Sequence, residues 1–436
     1  MRFIFDRVDQ EAFKKELIAI RRDLHQYPES AWTEYRTTVK VIELLSELGV
    51  KFTYGKAIHT PEHMYGMPPK AYLDQCEARA ISESGREDLI SEMRGGFTGC
   101  IAEIEGAQPG PTVAFRVDID CNDVAESDAP SHRPVQEGFA SKHANLMHAC
   151  GHDGHTAMGI GAIKLLLAYR DQIKGKIIFV FQPAEEGLRG ANSIAQTGVL
   201  DSVDYIIGAH LGLKLGAVGT VATGTHGFLA STKFDVTYKG KAAHAGASPE
   251  LGNNALAAAA TAVLNLLAIP RHSAGSSRIN IGTLNGGTGR NVIPEQAVMT
   301  IETRGLSTEI NEYVAAKAER VCRASADMYE CSYESRFMGA AGSAICDKEL
   351  VDFVSDSISA LEGVVEIKKD EDFGGGEDFT YMMTRVQQHG GKATEMIIGT
   401  PLKAPHHNGS FDFDESVLPL ASQIFAKIAL DISNRI

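Results

Sequence analysis

Between His148 and His155 the octet "HACGHDGH" places three histidines, a cysteine and an aspartate within eight positions. Imidazole and thiolate are good ligands for first-row divalent metals. Cys150 and His152, two residues apart on a glycine-containing turn, can reach one cation together. "QPAEEG" (182–187) adds two adjacent carboxylates, Glu185 and Glu186. Two acids beside a metal divide their labour: one neutralises the cation, and the other takes a proton from a water that the cation acidifies to a pKa of about 7. His210 in "GAHL" and the pair His406 and His407 in "APHHNGSFDFDE" are further imidazoles, and spacing does not choose between the last two. The chain has neither a G-x-S-x-G elbow nor a G-x-x-x-x-G-K-[ST] loop, which argues against a serine hydrolase of that type and a P-loop nucleotide enzyme.

These residues need elements that bring them to one place. "PTVAFRVDID" (111–120), "GKIIFVFQP" (175–183) and "DYIIGAHL" (204–211) read as strands that are apolar almost throughout. That pattern predicts burial on both faces, as in a doubly wound α/β sheet. Their polar residues stand at the ends: Asp118 and Asp120, Glu185 and Glu186, and His210. Ligands of such sheets bind beyond the carboxyl ends of the strands, so three strands deliver acids and an imidazole to one rim. A fourth strand, "ATEMIIGT" (393–400), leads to the loop holding His406 and His407.

Helices are predicted by Phe13, Leu17, Ile20 and Leu24, by Val41, Leu44, Leu45 and Leu48 ahead of Gly49, over 154–170 after the octet, and after Asp414. Residues 55–97 read as an irregular insertion with one helix around 71–95. From residue 228 the rhythm changes to strand 231–240, helix 252–268, strands 277–286 and 297–305, helix 308–328 and strand 330–339. This βαββαβ order predicts a ferredoxin-like domain over 226–339, inserted into a larger one made of 1–225 and 340–436.

With 42 basic and 56 acidic side chains the net charge is −14, which repels phosphate backbones and argues against nucleic acid as a partner. No apolar run approaches the roughly 20 residues of a membrane span, and the charged start does not resemble a signal peptide. Seven cysteines without paired spacing predict free thiols in a reducing cytoplasm.

The set "RVDID", "HACGHDGH", "QPAEEG", "GAHL", "GKAAHAGASPELGNNA", "GRNVIP", "ETRG" and "HHNGSFDFDE" resembles the M20 metallopeptidases. The likeness is to their amidohydrolase branch, which includes bacterial N-acyl-amino-acid hydrolases and plant auxin-conjugate hydrolases, and it runs from "RRDLHQYPES" (21–30) to the last helix. The insertion at 55–97, "GGFTGC" and "MMTRVQQHGG" are similar to the branch members that cleave aminobenzoyl-glutamate. The resemblance implies two divalent metal ions, manganese or zinc, in a catalytic α/β domain, with the inserted domain acting as lid and dimer interface. It matches Cys150, His152, Glu186, His210 and His407 to metal ligands and Glu185 to the general base. Asp118 matches the aspartate that orients a ligand or supports the base.

In the inserted domain, His244 matches a histidine that reaches the neighbouring protomer's site and steadies the oxyanion. Asn291 and Arg304 match residues that grip the substrate's carboxylate and carbonyl. Cys150 stands where most members of the wider family carry a bridging aspartate, and thiolate favours zinc. The implied substrate is a small N-acyl or aroyl amino acid, first of all p-aminobenzoyl-glutamate, a folate breakdown product. The implied assembly is a homodimer or a heterodimer with a homologous chain. The alternatives are a protein inactive without its partner and a hydrolase for another acyl-amino acid.

Overall fold

A computed structural model describes residues 5–435. In chain order its strands begin with β1 (Lys51–Tyr54), β2 (Cys100–Glu105), β3 (Gln108–Asp118), β4 (Lys174–Gln182), β5 (Tyr205–Leu211), β6 (Thr220–Ala222) and β7 (Thr225–His226). They continue with β8 (Ala230–Lys239), β9 (Ser277–Gly286), β10 (Gln296–Gly305), β11 (Ser332–Ala341), β12 (Glu366–Lys368), β13 (Glu371–Asp372) and β14 (Lys392–Ile398). The chain divides into two compact units. One runs through His226 and takes in Ala344–Phe373 and the chain from Asp378 onward; the other comprises Gly227–Ser343 with Gly374–Glu377.

The first unit is built on an eight-stranded sheet of order β1-β2-β4-β3-β5-β14-β6-β12. Its centre, β4, β3, β5 and β14, is parallel. The carboxyl-terminal halves of these strands are buried, which is why they read as apolar runs. Alternate residues feed two cores. Phe115, Phe179 and Ile207 face the helices Gln10–Gln26, His152–Ala168 and Val417–Ser433, whereas Ala114, Ile178 and Ile206 join Met382, Met383 and Val386 of the helix Thr380–Gln388. The sheet is therefore α/β and doubly wound. Its flanks are mixed: β1 and β2 run antiparallel to their neighbours, and β6 runs antiparallel to β14 but parallel to β12. Registers Asp118↔Gln182 and His210↔Ile397 put the carboxyl ends of the four central strands on one rim.

Residues 55–97 carry two 3-10 turns and two helices, Lys70–Ser84 and Glu87–Ser91, rather than the single helix expected around 71–95. Gly85 separates them: at φ +70° it takes the left-handed conformation that ends a helix, and its N–H closes on the Ile81 carbonyl.

The second unit has the antiparallel sheet β11-β8-β10-β9 with the helices Ala255–Leu267 and Thr308–Met328, in the βαββαβ order. Burial alternates strictly along β10, and Phe234, Val236, Tyr238, Met299 and Ile301 pack under Ala258, Ala262, Ala318 and Cys322. Among the described residues, no helix is long and apolar enough to cross a membrane. All seven cysteines are free thiols.

Candidate metal centre

Cys150 and His152 occupy the turn into the helix His152–Ala168, just beyond the rim of the sheet. Cys150 Sγ lies 3.4 Å from Nε2 of His210, the penultimate residue of β5. Among the described residues five groups bring their ligand atoms within 4.8 Å of one another, and three of them interlock at the rim: Cys150, His152 and His210; Cys150, Glu186 and His407; and His152, Glu185 and Glu186. Cys150 belongs to two of these triplets, and so do His152 and Glu186. Glu186 Oε1 is 3.4 Å from His407 Nε2 and 3.9 Å from His152 Nε2, near enough for attraction but without hydrogen-bond geometry to either.

The donor set fits divalent cations. His152 Nε2 and Glu186 Oε1 are buried without a hydrogen-bond partner, a costly state that a cation between them relieves. The outer nitrogens are already committed: His152 Nδ1–H donates to the Asp120 carbonyl at 2.9 Å, and His210 Nδ1–H donates to the Leu211 carbonyl at 2.9 Å. Such bonds fix the tautomer that turns Nε2 inward. Burial alone would push the Glu186 carboxyl up, yet the His407 and His152 imidazoles hold it at about 2. Cys150 and Glu186 in turn push His407 up to about 10. Burial takes His210 well below its ordinary range, leaving a neutral imidazole.

His407 joins the group and His406 does not; His406 Nε2 faces the Leu211 carbonyl at 3.3 Å instead. The backbone makes this choice. His407 sits at φ +62°, outside the usual region for a side-chain-bearing residue, and its N–H holds the Ala149 carbonyl at 2.8 Å. Ala184, just before the two glutamates, is left-handed as well.

Support comes from Asp118 and from residues whose roles the sequence did not reveal. Asp120 accepts the backbone N–H of Glu185 at 3.1 Å and of Glu186 at 2.9 Å, so one carboxylate aims both acids. Glu34 accepts the Ala184 N–H at 2.8 Å. Asp118 stands behind the imidazoles: Oδ1 takes a bond of 2.5 Å from His155 Nδ1, and Oδ2 pairs with Arg116 at 2.8 Å and faces His152 Nε2 at 3.7 Å. His155 Nε2 accepts the Leu211 N–H at 3.0 Å, tying β3 to β5. Asp120 and His155 carried a signal in their motifs; Glu34, in "WTEYR", carried none.

The loop bearing the glutamates closes at Gly190, where a Cβ would lie 1.9 Å from the Pro183 carbonyl oxygen. Gly190→Ala must therefore push the loop open. We expect a stability loss of about 1–3 kcal/mol in urea titration and a fall in kcat of about 100-fold as the loop carrying the two glutamates shifts.

Asp118, Cys150, His152, Glu185, Glu186, His210 and His407 thus gather in the first unit, and His244, Asn291 and Arg304 belong to the second. His244 lies in an exposed loop where its Nδ1 accepts the N–H groups of Gly246 (3.1 Å) and Ala247 (3.0 Å), leaving the proton on Nε2. The Asn291 carbonyl accepts the Ala245 N–H at 3.0 Å, holding it beside that loop. Arg304 forks onto Glu302 of its own strand, with Nε to Oε2 at 3.0 Å and Nη2 to Oε1 at 3.1 Å.

Residues 114–431 match peptidase family M20/M25/M40. Indole-3-acetyl-aspartic acid hydrolase of Enterobacter agglomerans is 46% identical over 95% of both chains. One of the chains of p-aminobenzoyl-glutamate hydrolase from Escherichia coli K12 is 45% identical over 94% of both. The crystal structure of an aminobenzoyl-glutamate utilization protein from Klebsiella pneumoniae superposes with a TM-score of 0.81 at 38% identity, over 97% of both chains. A dinuclear metal-binding peptidase of the M20 family from Bacillus subtilis does so with a TM-score of 0.67 at 29% identity, over 98% of this chain and all of the other. With its motifs gathered on one rim and these likenesses along nearly its whole length, the chain belongs to peptidase family M20/M25/M40 and is a metal-dependent amidohydrolase.

Proposed function

We propose that the protein hydrolyses the amide bond joining an aromatic acyl group to an acidic amino acid, p-aminobenzoyl-glutamate being the first candidate. The carrying observation is the shared membership of Cys150, His152 and Glu186 in adjoining ligand triplets, which suits two neighbouring cations. The named substrates of two relatives, indole-3-acetyl-aspartate and p-aminobenzoyl-glutamate, both pair an aromatic acyl group with a dicarboxylic amino acid. Cys150, His152, Glu186, His210 and His407 are the ligands in this reading. The thiolate favours zinc, and the carboxylate and imidazoles also accept manganese. When bound, the cations polarise the amide carbonyl and acidify water.

The rest falls to the chain's own side chains. Glu185, aimed by Asp120, takes a proton from the attacking water and passes it to the departing amide nitrogen. His244 keeps its proton on Nε2 and, reaching the neighbouring protomer's site, donates it as a hydrogen bond to the carbonyl oxygen as charge builds there. Asn291 and Arg304 grip the substrate, Arg304 by exchanging Glu302 for its carboxylate. Residues 1–225 and 340–436 form the catalytic domain in this account, and 226–339 form a lid that also pairs protomers. Free thiols suit a cytoplasmic enzyme of folate breakdown.

The test is glutamate release from p-aminobenzoyl-glutamate by the chain purified alone, stripped of metal and then given zinc or manganese. We expect release only with metal, and a higher Tm on metal addition because ligands bind the folded state. A raised Tm without release from this or another acyl-amino acid favours the second reading, a chain inactive until it meets a homologous partner. That reading draws on the Escherichia coli relative, which is one component of its hydrolase. No change in Tm with either metal removes the metal site from the account.

A further inference from the structure

Arg189 lies three residues past Glu186 and is the only lysine or arginine between Lys176 and Lys214. The loop folds back on itself, with Leu188 N–H on the Glu185 carbonyl at 2.7 Å and Arg189 N–H on the Ala184 carbonyl at 3.1 Å. This brings Arg189 beside the acids. Its guanidinium lies back over the chain: a Cβ at Gly187 would sit 2.5 Å from Nε and 3.0 Å from Nη2. The group is half-buried, yet it makes no hydrogen bond or ion pair among the described residues. Arg21, Arg22, Arg36 and Arg133 of the same unit all fork onto carboxylates.

The insertion at 55–97 leans on this loop. Tyr65 N–H faces the Arg189 carbonyl at 3.5 Å, Trp32 Nε1–H donates to the Tyr65 carbonyl at 2.6 Å, and Asn192 Nδ2–H donates to the Tyr65 hydroxyl at 2.8 Å. Met64 and Met67 pack on Trp32 and Ala184. An uncommitted cation thus stands on the same tight loop as the glutamates, and an apolar cluster of the insertion meets that loop at Ala184. An amphipathic carboxylate is the complement of such a surface.

We propose that Arg189 selects for the acidic side chain of the substrate's amino acid, binding its second carboxylate through the guanidinium fork. This rests on the substrate class proposed above. It assigns the second charge of a dianionic substrate to a residue on the same loop as the glutamates, apart from those matched to the first carboxylate.

Matched substrates isolate the effect: p-aminobenzoyl-glutamate and p-aminobenzoyl-glutamine differ in that one charge. For the metal-loaded wild type, kcat/KM favours the glutamate conjugate. In Arg189→Met that preference falls at least tenfold, chiefly through KM, and in Arg189→Lys part of it returns, since lysine keeps the charge but not the fork. An unchanged preference in folded Arg189→Met, whatever its absolute rate, overturns the assignment; if that variant does not fold, Arg189→Lys carries the same comparison. A wild type that cleaves neither conjugate defeats the substrate reading itself. Calorimetric titration of p-aminobenzoyl-glutamate then decides the residue's role. Binding at least tenfold weaker in the variant supports it, and equal binding, or none to either protein, overturns it.

Discussion

Glu185→Gln lowers turnover by about 10²–10⁴-fold and leaves the bound metal in place. Glutamine keeps the shape of the side chain and the backbone N–H that Asp120 holds, so the loop has no reason to move. The amide cannot accept the proton of the attacking water. Metal should remain because Cys150, His152, Glu186, His210 and His407 are untouched. Two measurements on one preparation check this: kcat on the acyl-amino acid and metal content by mass spectrometry. Retained turnover moves the base elsewhere, and lost metal makes Glu185 a ligand instead. Glu186→Gln is the contrast, since it should weaken metal binding first.

The second large effect concerns stability. Arg21 is wholly buried and meets Asp153 Oδ2 at 2.8 Å, Asp412 Oδ1 at 3.1 Å and Glu415 Oε1 at 3.2 Å. Arg21→Met leaves these buried acids short of a cation, and we expect a loss of about 3–5 kcal/mol in urea unfolding. A loss below about 1 kcal/mol would mean that Arg22 and Arg133, which also touch Glu415, take over. Asp412 and Glu415 also give the network an acid limit. Burial opposes their ionisation, but Arg133, Arg22 and Arg21 hold both carboxyls below their usual range. Their contribution is therefore present at neutral pH and is lost as pH falls through the acid range. Asp153 lies within the octet and Asp412 follows His407 in the same loop, so the variant should also bind metal more weakly.

The site was legible to the extent that single strands announced it. β3, β4 and β5 are buried on both faces at their carboxyl ends, so each is an apolar run stopped by a polar residue; Asp118, Glu185, Glu186 and His210 stand at or just past those stops. The inserted unit was legible for the complementary reason, since a sheet covered on one face alternates, as β10 does. Tertiary positioning left no such trace. Neighbouring His406 and His407 differ by the left-handed backbone at 407 and by a hydrogen bond to Ala149, far away in sequence. Glu34 and Asp120 act by accepting N–H groups from a remote loop, a role any exposed acid could mimic in a string of letters. β6 and β12 are three residues each, too short for a period to show, and Gly85 was the one mark of the break between the two insertion helices.

The strand order also bears on how the protein is made. β14 lies between β5 and β6, although the whole inserted unit is translated in between. A nascent chain that already carries Cys150, His152, Glu185, Glu186 and His210 therefore waits with the edge of β5 bare, for roughly ten to forty seconds at common elongation rates. That edge is a ready template for misplaced pairing, so synthesis of this enzyme has a window in which a ribosome-associated chaperone matters most. His407 follows β14 and leaves the ribosome last of the group, which keeps unfinished chains from assembling the full set of proposed ligands.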